Sequence, residues 1–488
     1  MTATRTATIA IAAQAIGLLI AGCTVVGPDY ERPASTLPAS YDPAAPAAQD
    51  GAQSAQASAD WWPLFGDAQL SALIDTALAR NTDVQVAVAR IEEADALLRE
   101  TGAAFLPSVN LSGLGARSQT SALTPLRTPS LLANNLVLTA SASYEIDFWG
   151  RLRRTEESAR ALALASRHAR DVVRLSIAGL TAQTWFSLRS LDEQIALTRR
   201  TLESRDEQLR IVRLRLDAGT ASRLDLEQAT GARADAAIQL RDLQRQRELA
   251  QSLLGRITGQ PGLRVPSGGN AHGDSGALSA MPVPPSPPPG LPSDLLARRP
   301  DVRQAEEELV SANAQIGVAR AAMLPSISLT GIYGAQSTAL ATLLDSGAQI
   351  WTLGFGLSLP IFDAGRLEAR ADQASARQRQ ALAGYQGAAQ SAFREVSDAL
   401  IAARAASEAE ADVLARAQAT RRSLQLATMR YESGYSGYLE VLDAQRSANA
   451  AELDAVRNRQ ARLNAAVDLF KALSGGWPDA QPDAARAP

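Results

Sequence analysis

Three sets of residues in this sequence have types and spacing that could do chemistry. The first is Cys23, the only cysteine in 488 residues. Arg5 and the apolar run Ala7–Ile20 precede it, a positive n-region and an h-region too short to span a bilayer. Leu19-Ile20-Ala21-Gly22, two branched aliphatics and two small residues, then lead into the thiol, and the run resembles a lipobox. The chemistry is covalent lipid on Cys23, which becomes the mature N-terminus. The alternative is a plain signal peptide cut near Ala21, with Cys23 a bystander. The second set, His168 and His272, are the only histidines. Two isolated imidazoles without a cysteine partner make neither a metal site nor a nucleophilic triad. The third is Leu439, Asp443 and Arg446, spaced i, i+4, i+7 on one face of a helix. Taken alone, it is a solvated ion pair beside a leucine.

No Walker, dinucleotide-binding or nucleophile-elbow pattern is present, so the sequence offers no enzyme site and no cofactor. The net charge of −3 argues against a nucleic-acid partner. Positive charge is almost all arginine, with Lys471 the only lysine. One cysteine allows no internal disulfide, so packing must supply stability.

The elements that carry these residues come in duplicate. Asp83-Val84 recurs as Asp301-Val302 and Leu106-Pro107-Ser108 as Leu324-Pro325-Ser326, an offset of 301 − 83 = 218. Gly150-Arg151-Leu152 recurs as Gly365-Arg366-Leu367, an offset of 365 − 150 = 215, and Gly219 recurs as Gly434 at the same offset. The expected organisation is a signal peptide over 1–22 and a lipidated tether over 23–66. Repeat 1 comes next over 67–261, then a Pro/Gly-rich crossover linker over 262–292, repeat 2 over 293–476 and a flexible tail over 477–488. Each repeat reads as a helix (about Asp67–Ala104 and Ser293–Ala322), two strands, a very long proline-free helix, a turn and a return helix half as long. The long stretches, Arg151–Ala218 and Arg366–Ser433, would each reach about 100 Å, which argues for coiled coil. Gly219 and Gly434 suit a left-handed helix stop, and Ser222 with Asp225 resembles a capping box, where the second copy has Gly437 and Glu440.

The strands have period two. Leu138, Ala140, Ala142, Tyr144, Ile146 and Phe148 alternate with small or polar residues, as do Trp351, Leu353, Phe355, Leu357, Leu359 and Ile361. The first strand of each pair repeats the pattern (Val109-Leu111-Gly113; Ile327-Leu329-Gly331-Tyr333). Runs of about ten residues, apolar on one face and small or hydroxylated on the other, fit strands tilted through a bilayer. Phe105, Phe148-Trp149 and Phe362, at the helix–strand junctions, would mark one interfacial girdle. Four strands cannot close a barrel and an open edge cannot face lipid, so copies of the chain must pool their strands around a cyclic axis.

With these residues in hand, the chain resembles the outer-membrane efflux proteins, the TolC-like outer-membrane factors, in the lipoprotein branch that serves resistance–nodulation–division pumps. The carriers are the lipobox with "GPDYERP", Trp61-Trp62, the "LPS" corners, the Phe362-Asp363 and Gly365-Arg366 corner, the two glycine tips and "YLEVLDAQR" at Tyr438–Arg446. The resemblance implies a mostly α protein with a transmembrane β-barrel. Four strands per chain would complete a 12-stranded barrel in a homotrimer, with coiled-coil helices forming a periplasmic α-barrel. It implies export of small molecules as one part of a tripartite system, with a periplasmic membrane-fusion adaptor and an inner-membrane pump as partners. It also implies a periplasmic gate at Leu439, Asp443 and Arg446. The first copy has Leu224, Gln228 and Gly231 at those offsets, so only the second hairpin carries charge. Adaptor contacts would fall on Gly219, Thr220, Ser222, Gly434, Ser436 and Gly437. A type I protein-secretion channel and a non-pore coiled-coil lipoprotein remain alternative readings.

Overall fold

The computed structural model describes residues 25–34, 37–38, 40–41, 60–119, 121, 132–267, 278–285 and 296–473. Cys23, the signal segment, most of the linker and the tail expected over 477–488 lie outside the described residues. The helices are α1 (Ala68–Arg80), α2 (Thr82–Ala103), α3 (Arg151–Asp217), α4 (Arg223–Ile257), α5 (Pro300–Ala321), α6 (Arg366–Glu432) and α7 (Tyr438–Leu473). The strands are β1 (Ser108–Gln119), β2 (Leu132–Ile146), β3 (Ser326–Ser337) and β4 (Gln349–Ser358). The chain forms two compact units that cut across the repeats. One holds Met1–Ala34, Arg90–Arg167 and Gln304–Gln386; the other holds Ser35–Ala89, His168–Arg303 and Gly387–Pro488.

In the first unit the strands form one antiparallel sheet in the order β1-β2-β3-β4, so β1 and β4 are edges. The register puts the expected apolar residues that fall within the strands on one face. Val109 and Leu111 lie opposite Ala142 and Ala140, Tyr144 opposite Leu329, and Leu329, Gly331 and Tyr333 opposite Phe355, Leu353 and Trp351. This face is bare: Leu111, Trp351, Leu353 and Phe355 are among the most exposed large side chains in the chain. On the other face hydroxyls pair across strands, with Ser108 Oγ 2.8 Å from Ser143 Oγ and Ser112 Oγ 3.1 Å from Thr139 Oγ1. The lengths depart from the uniform ten expected. β2 has 15 residues, whereas β4 has 10 and stops before Leu359 and Ile361.

Aspartates turn the chain from sheet into helix. The Asp147 carboxylate accepts from the Leu152 and Arg153 amides at 2.9 and 3.0 Å, and Asp363 from those of Gly365 and Leu367 at 3.1 and 2.9 Å. Each capped helix start thus has two of its unpaired amides satisfied. Gly150 and Gly365 supply positive φ (77° and 80°), and Ala364 adopts +58° without being glycine. Trp149 packs edge-on to Phe148 at 4.7 Å and donates through Nε1 to the Pro325 carbonyl at 2.8 Å.

The stretch expected as loose tether begins as a docked strap. The Val26 amide donates to Trp149 O (3.0 Å) and Asn313 Nδ2 to Pro28 O (2.8 Å). Arg154 pairs with Asp29 at 2.6 Å. Arg32 grips the buried Glu306 carboxylate with two hydrogen bonds, at 2.7 and 2.5 Å, and the Tyr30 hydroxyl donates to it at 3.0 Å. Burial in this contact, with the Glu306 charge beside it, pushes the Tyr30 phenol well above its ordinary pKa. Gly27 and Gly317 meet so closely that a Cβ on Gly27 would stand 2.6 Å from Gly317 Cα.

The second unit has an aromatic core. Trp61 is fully buried, stacked on Phe470 at 6.2 Å and edge-on to Trp62 and Phe65 at 5.8 and 5.9 Å. Trp61-Trp62 is therefore packing. Asp67 both caps α1, accepting from Gln69 N and Leu70 N, and receives the Trp185 Nε1 hydrogen bond at 2.8 Å. The single helix expected over Asp67–Ala104 is two. Asn81 is extended at the break; its side-chain oxygen accepts from Asp83 N, and its amide nitrogen donates to Ile257 O at 2.8 Å. The helix expected over Ser293–Ala322 breaks as well, at Arg299. α5 begins on Pro300, which fits a first helical position because its missing N–H would be unpaired there.

Candidate functional site

The site is the end of the second unit where α3 turns into α4 and α6 into α7. Gly219 (φ 74°) ends α3, its amide donating to Leu216 O at 2.9 Å while the Thr220 amide returns to Arg215 O at 2.8 Å. Gly434 (φ 78°) does the same for α6, its amide donating to Tyr431 O and that of Tyr435 to Arg430 O. A Cβ at either glycine would meet nothing within 4 Å. Glycine is thus required there by backbone angle, not by space. Ser222 forms the expected capping box with Asp225, and its hydroxyl and amide both reach Asp225 Oδ2. The second tip is built differently: Glu440 reaches across the turn to Arg430 at 3.4 Å, Tyr435 points to solvent, and the Ser436 hydroxyl is buried without a partner.

α7 has two faces. Tyr438 and Val441 pack with Leu209 and Val212 of α3 and Ala229 of α4. Leu439, Asp443 and Arg446 come together on the opposite, open face. Arg446 Nη2 donates to Asp443 Oδ1 at 2.8 Å, with 81% and 63% of the two side chains exposed. Within one chain the pair therefore closes on its own helix. Such an exposed pair contributes about 0.2–0.5 kcal/mol.

Residues that seat this helix were not visible in sequence. Arg205 of α3 is buried and donates to the Gln445 side chain, one residue from Arg446. Thr201 donates to Asn449 at 3.0 Å, and Arg215 lies over the Tyr431 ring at 4.8 Å. Burial pulls the Arg205 pKa down and pushes that of Tyr438 up. The Arg205 guanidinium beside the Tyr438 hydroxyl partly opposes both shifts. Arg205 and Gln445 are 240 positions apart, and no local pattern joins them. No cluster of His, Cys, Asp and Glu that could hold a metal occurs among the described residues.

The site is thus an uncovered charged helix face between two sharp tips, in a chain whose other unit exposes an apolar sheet. The chain is 35% identical over 482 residues to outer membrane protein OprJ of Pseudomonas aeruginosa, covering 96% of each. It is 33% identical over 467 residues to the probable outer membrane lipoprotein SilC of Salmonella typhimurium, covering 94% of the chain and 97% of the relative. It superposes on the open-state outer membrane channel MtrE of Neisseria gonorrhoeae with a TM-score of 0.81 at 32% identity, covering 93% of this chain and 98% of that one. The model of the outer membrane efflux proteins matches residues 73–260 and 291–475, and the chain belongs to that family.

Proposed function

We propose that this efflux protein is the outer-membrane channel of a tripartite system that carries small molecules from an inner-membrane pump, through a periplasmic adaptor, to the outside. The observation that carries the reading is the sheet: four strands, one face with a broad apolar band that no other described residue covers, and two unpaired edges. Lipid cannot hydrogen-bond an open edge, and single-chain outer-membrane barrels use at least eight strands or so. Three copies supply twelve. No described helix is long and apolar enough to cross a membrane. Purified protein should run as a trimer by native mass spectrometry and conduct ions in planar bilayers; a monomer that conducts nothing overturns the reading.

Two finer assignments belong to it. Leu439, Asp443 and Arg446 of the three copies would converge on the threefold axis as the gate, with Gly219, Thr220, Ser222, Gly434, Ser436 and Gly437 meeting the adaptor. Cys23 would carry lipid in the outer membrane, a reading supported by the name of the SilC relative.

A further inference from the structure

The open edges pair with each other in a register that the chain itself encodes. In the first hairpin Ser108 faces Ser143. Moving Ser108 by the repeat offset of 218 and Ser143 by 215 gives Ser326 and Ser358, which face each other in the second hairpin. The two hairpins are therefore superposable residue for residue, and β1 stands for β3 as β2 stands for β4. The joint between them, β2 on β3, is the only one that links different repeats, with Ile146 facing Ile327 and Tyr144 facing Leu329. If copies close a ring, each β4 must meet a β1 across a joint of this kind. Translating β2–β3 by the same offsets makes Ile361 the counterpart of Ile146 and Val109 that of Ile327.

We infer that β4 of one copy pairs antiparallel with β1 of the next, with Ile361 facing Val109, Leu359 facing Leu111, Ser358 facing Ser112 and Phe355 facing Gly115. This rests on the channel reading above and adds the partner surface to it. Four features of the single chain fit. The pairing keeps odd-numbered residues of both strands on the apolar face, where the intrachain registers put them. Leu357 and Phe355 fall opposite Gly113 and Gly115, and on the water face Leu114 falls opposite Gly356, so large side chains meet small ones. β4 stops at Ser358 although its counterpart β2 continues to Ile146, and the joint would extend β4 to Ile361. Finally, Ile361 and Phe362 are 92% and 89% exposed, far more than Ile146, which already has its neighbour Ile327 in β3, and Phe148, which packs on Trp149.

Disulfide trapping reads the register. Facing Cα atoms of antiparallel strands lie about 4.5–5.5 Å apart, within disulfide range. Ser112 of a single chain lies level with Ile350 through Thr139 and Gly334, so positions 112 and 358 sit on opposite edges, about 14 Å apart across the sheet and about 26 Å apart along it, and any link between them joins two copies. Ser112→Cys with Ser358→Cys should give linked oligomers on a non-reducing gel, while Ser112→Cys with Pro360→Cys, a two-residue slip, should give less than about a tenth as much. Val109→Cys with Ile361→Cys against Val109→Cys with Leu359→Cys reads the opposite slip, and serves alone if the first pair prevents folding. Single-cysteine variants control for Cys23. A slipped pair linking as well as its in-register partner, or no pair linking while native mass spectrometry finds the intact oligomer, overturns the register and leaves the channel standing. A monomer in the mass spectrum overturns both.

Discussion

At the scale of residues, two carboxylates that look alike in sequence have opposite surroundings. Asp443 is open and held only by Arg446 on its own helix turn. The pair is too weak to hold a gate within one chain, so its effect must come from convergence of copies. Asp443→Ala with Arg446→Ala should therefore leave thermal stability within about 0.5 kcal/mol yet raise resting conductance and sensitise cells to large antibiotics such as vancomycin. Conductance equal to that of the parent protein would reduce the pair to a helix-surface contact. Asp468 is half-buried beside Gln183, which donates to it at 2.8 Å, with Lys471 and Glu395 nearby. Burial raises its pKa above the ordinary carboxylate value, and Lys471 and Gln183 only partly oppose this. A carboxyl whose folded pKa lies above its unfolded one binds protons better when folded. It costs stability at neutral pH, and the cost shrinks as pH falls through the raised value. Asp468→Asn should accordingly raise Tm at pH 7.5, and the gain should narrow as the pH is lowered towards 4. A loss of Tm at pH 7.5 that shrinks with acid would mean the attraction of the Lys471 charge dominates instead.

At the scale of elements, features set by a local rule could be read and features set by a distant partner could not. Period two placed the strand faces, Gly219 and Gly434 marked the helix stops, and Ser222 with Asp225 announced its capping box. The helix breaks at Asn81 and Pro300 were missed although both carry a signal, because the continuing helical periodicity on either side masked an N-cap and a first-turn proline. The length of β2 and the seat of α7 had no local signal at all. Arg205 looks like any other arginine until Gln445, brought in by the opposite repeat, sits beside it. The tips offer a test at this scale. Gly219→Val or Gly434→Val puts a β-branched residue at φ 74° or 78°, where an L-residue costs about 1–2 kcal/mol or more. The turn should rearrange with little loss of global stability, since a side chain there meets open space. Efflux and cross-linking to the adaptor should fall while trimer and membrane levels hold; unchanged cross-linking would remove the tips from the interface.

At the scale of the whole molecule, duplication was legible from four landmarks at near-constant offsets, and the family model matches in two segments, 73–260 and 291–475. The division into compact units was not, because each unit takes its parts from both repeats. The lipid anchor belongs here too, since it would act on the molecule as one body. Mass spectrometry of the mature N-terminal peptide should find Cys23 acylated, and Cys23→Ser should abolish the modification while the barrel still holds the protein in the membrane. An unmodified Cys23 in the native protein would remove the anchor. The strap beside it carries a consequence for biogenesis. Its partners are Trp149 and Arg154 from the first repeat and Glu306, Asn313 and Gly317 from the second, so part of its seat is made only late in synthesis, Asn313 being 285 positions from Pro28. The leading end can meet Trp149 and Arg154 early, but it locks fully only when the second repeat has arrived. A truncation ending before Glu306 should leave Val26–Pro33 open to protease, and the full chain should close it.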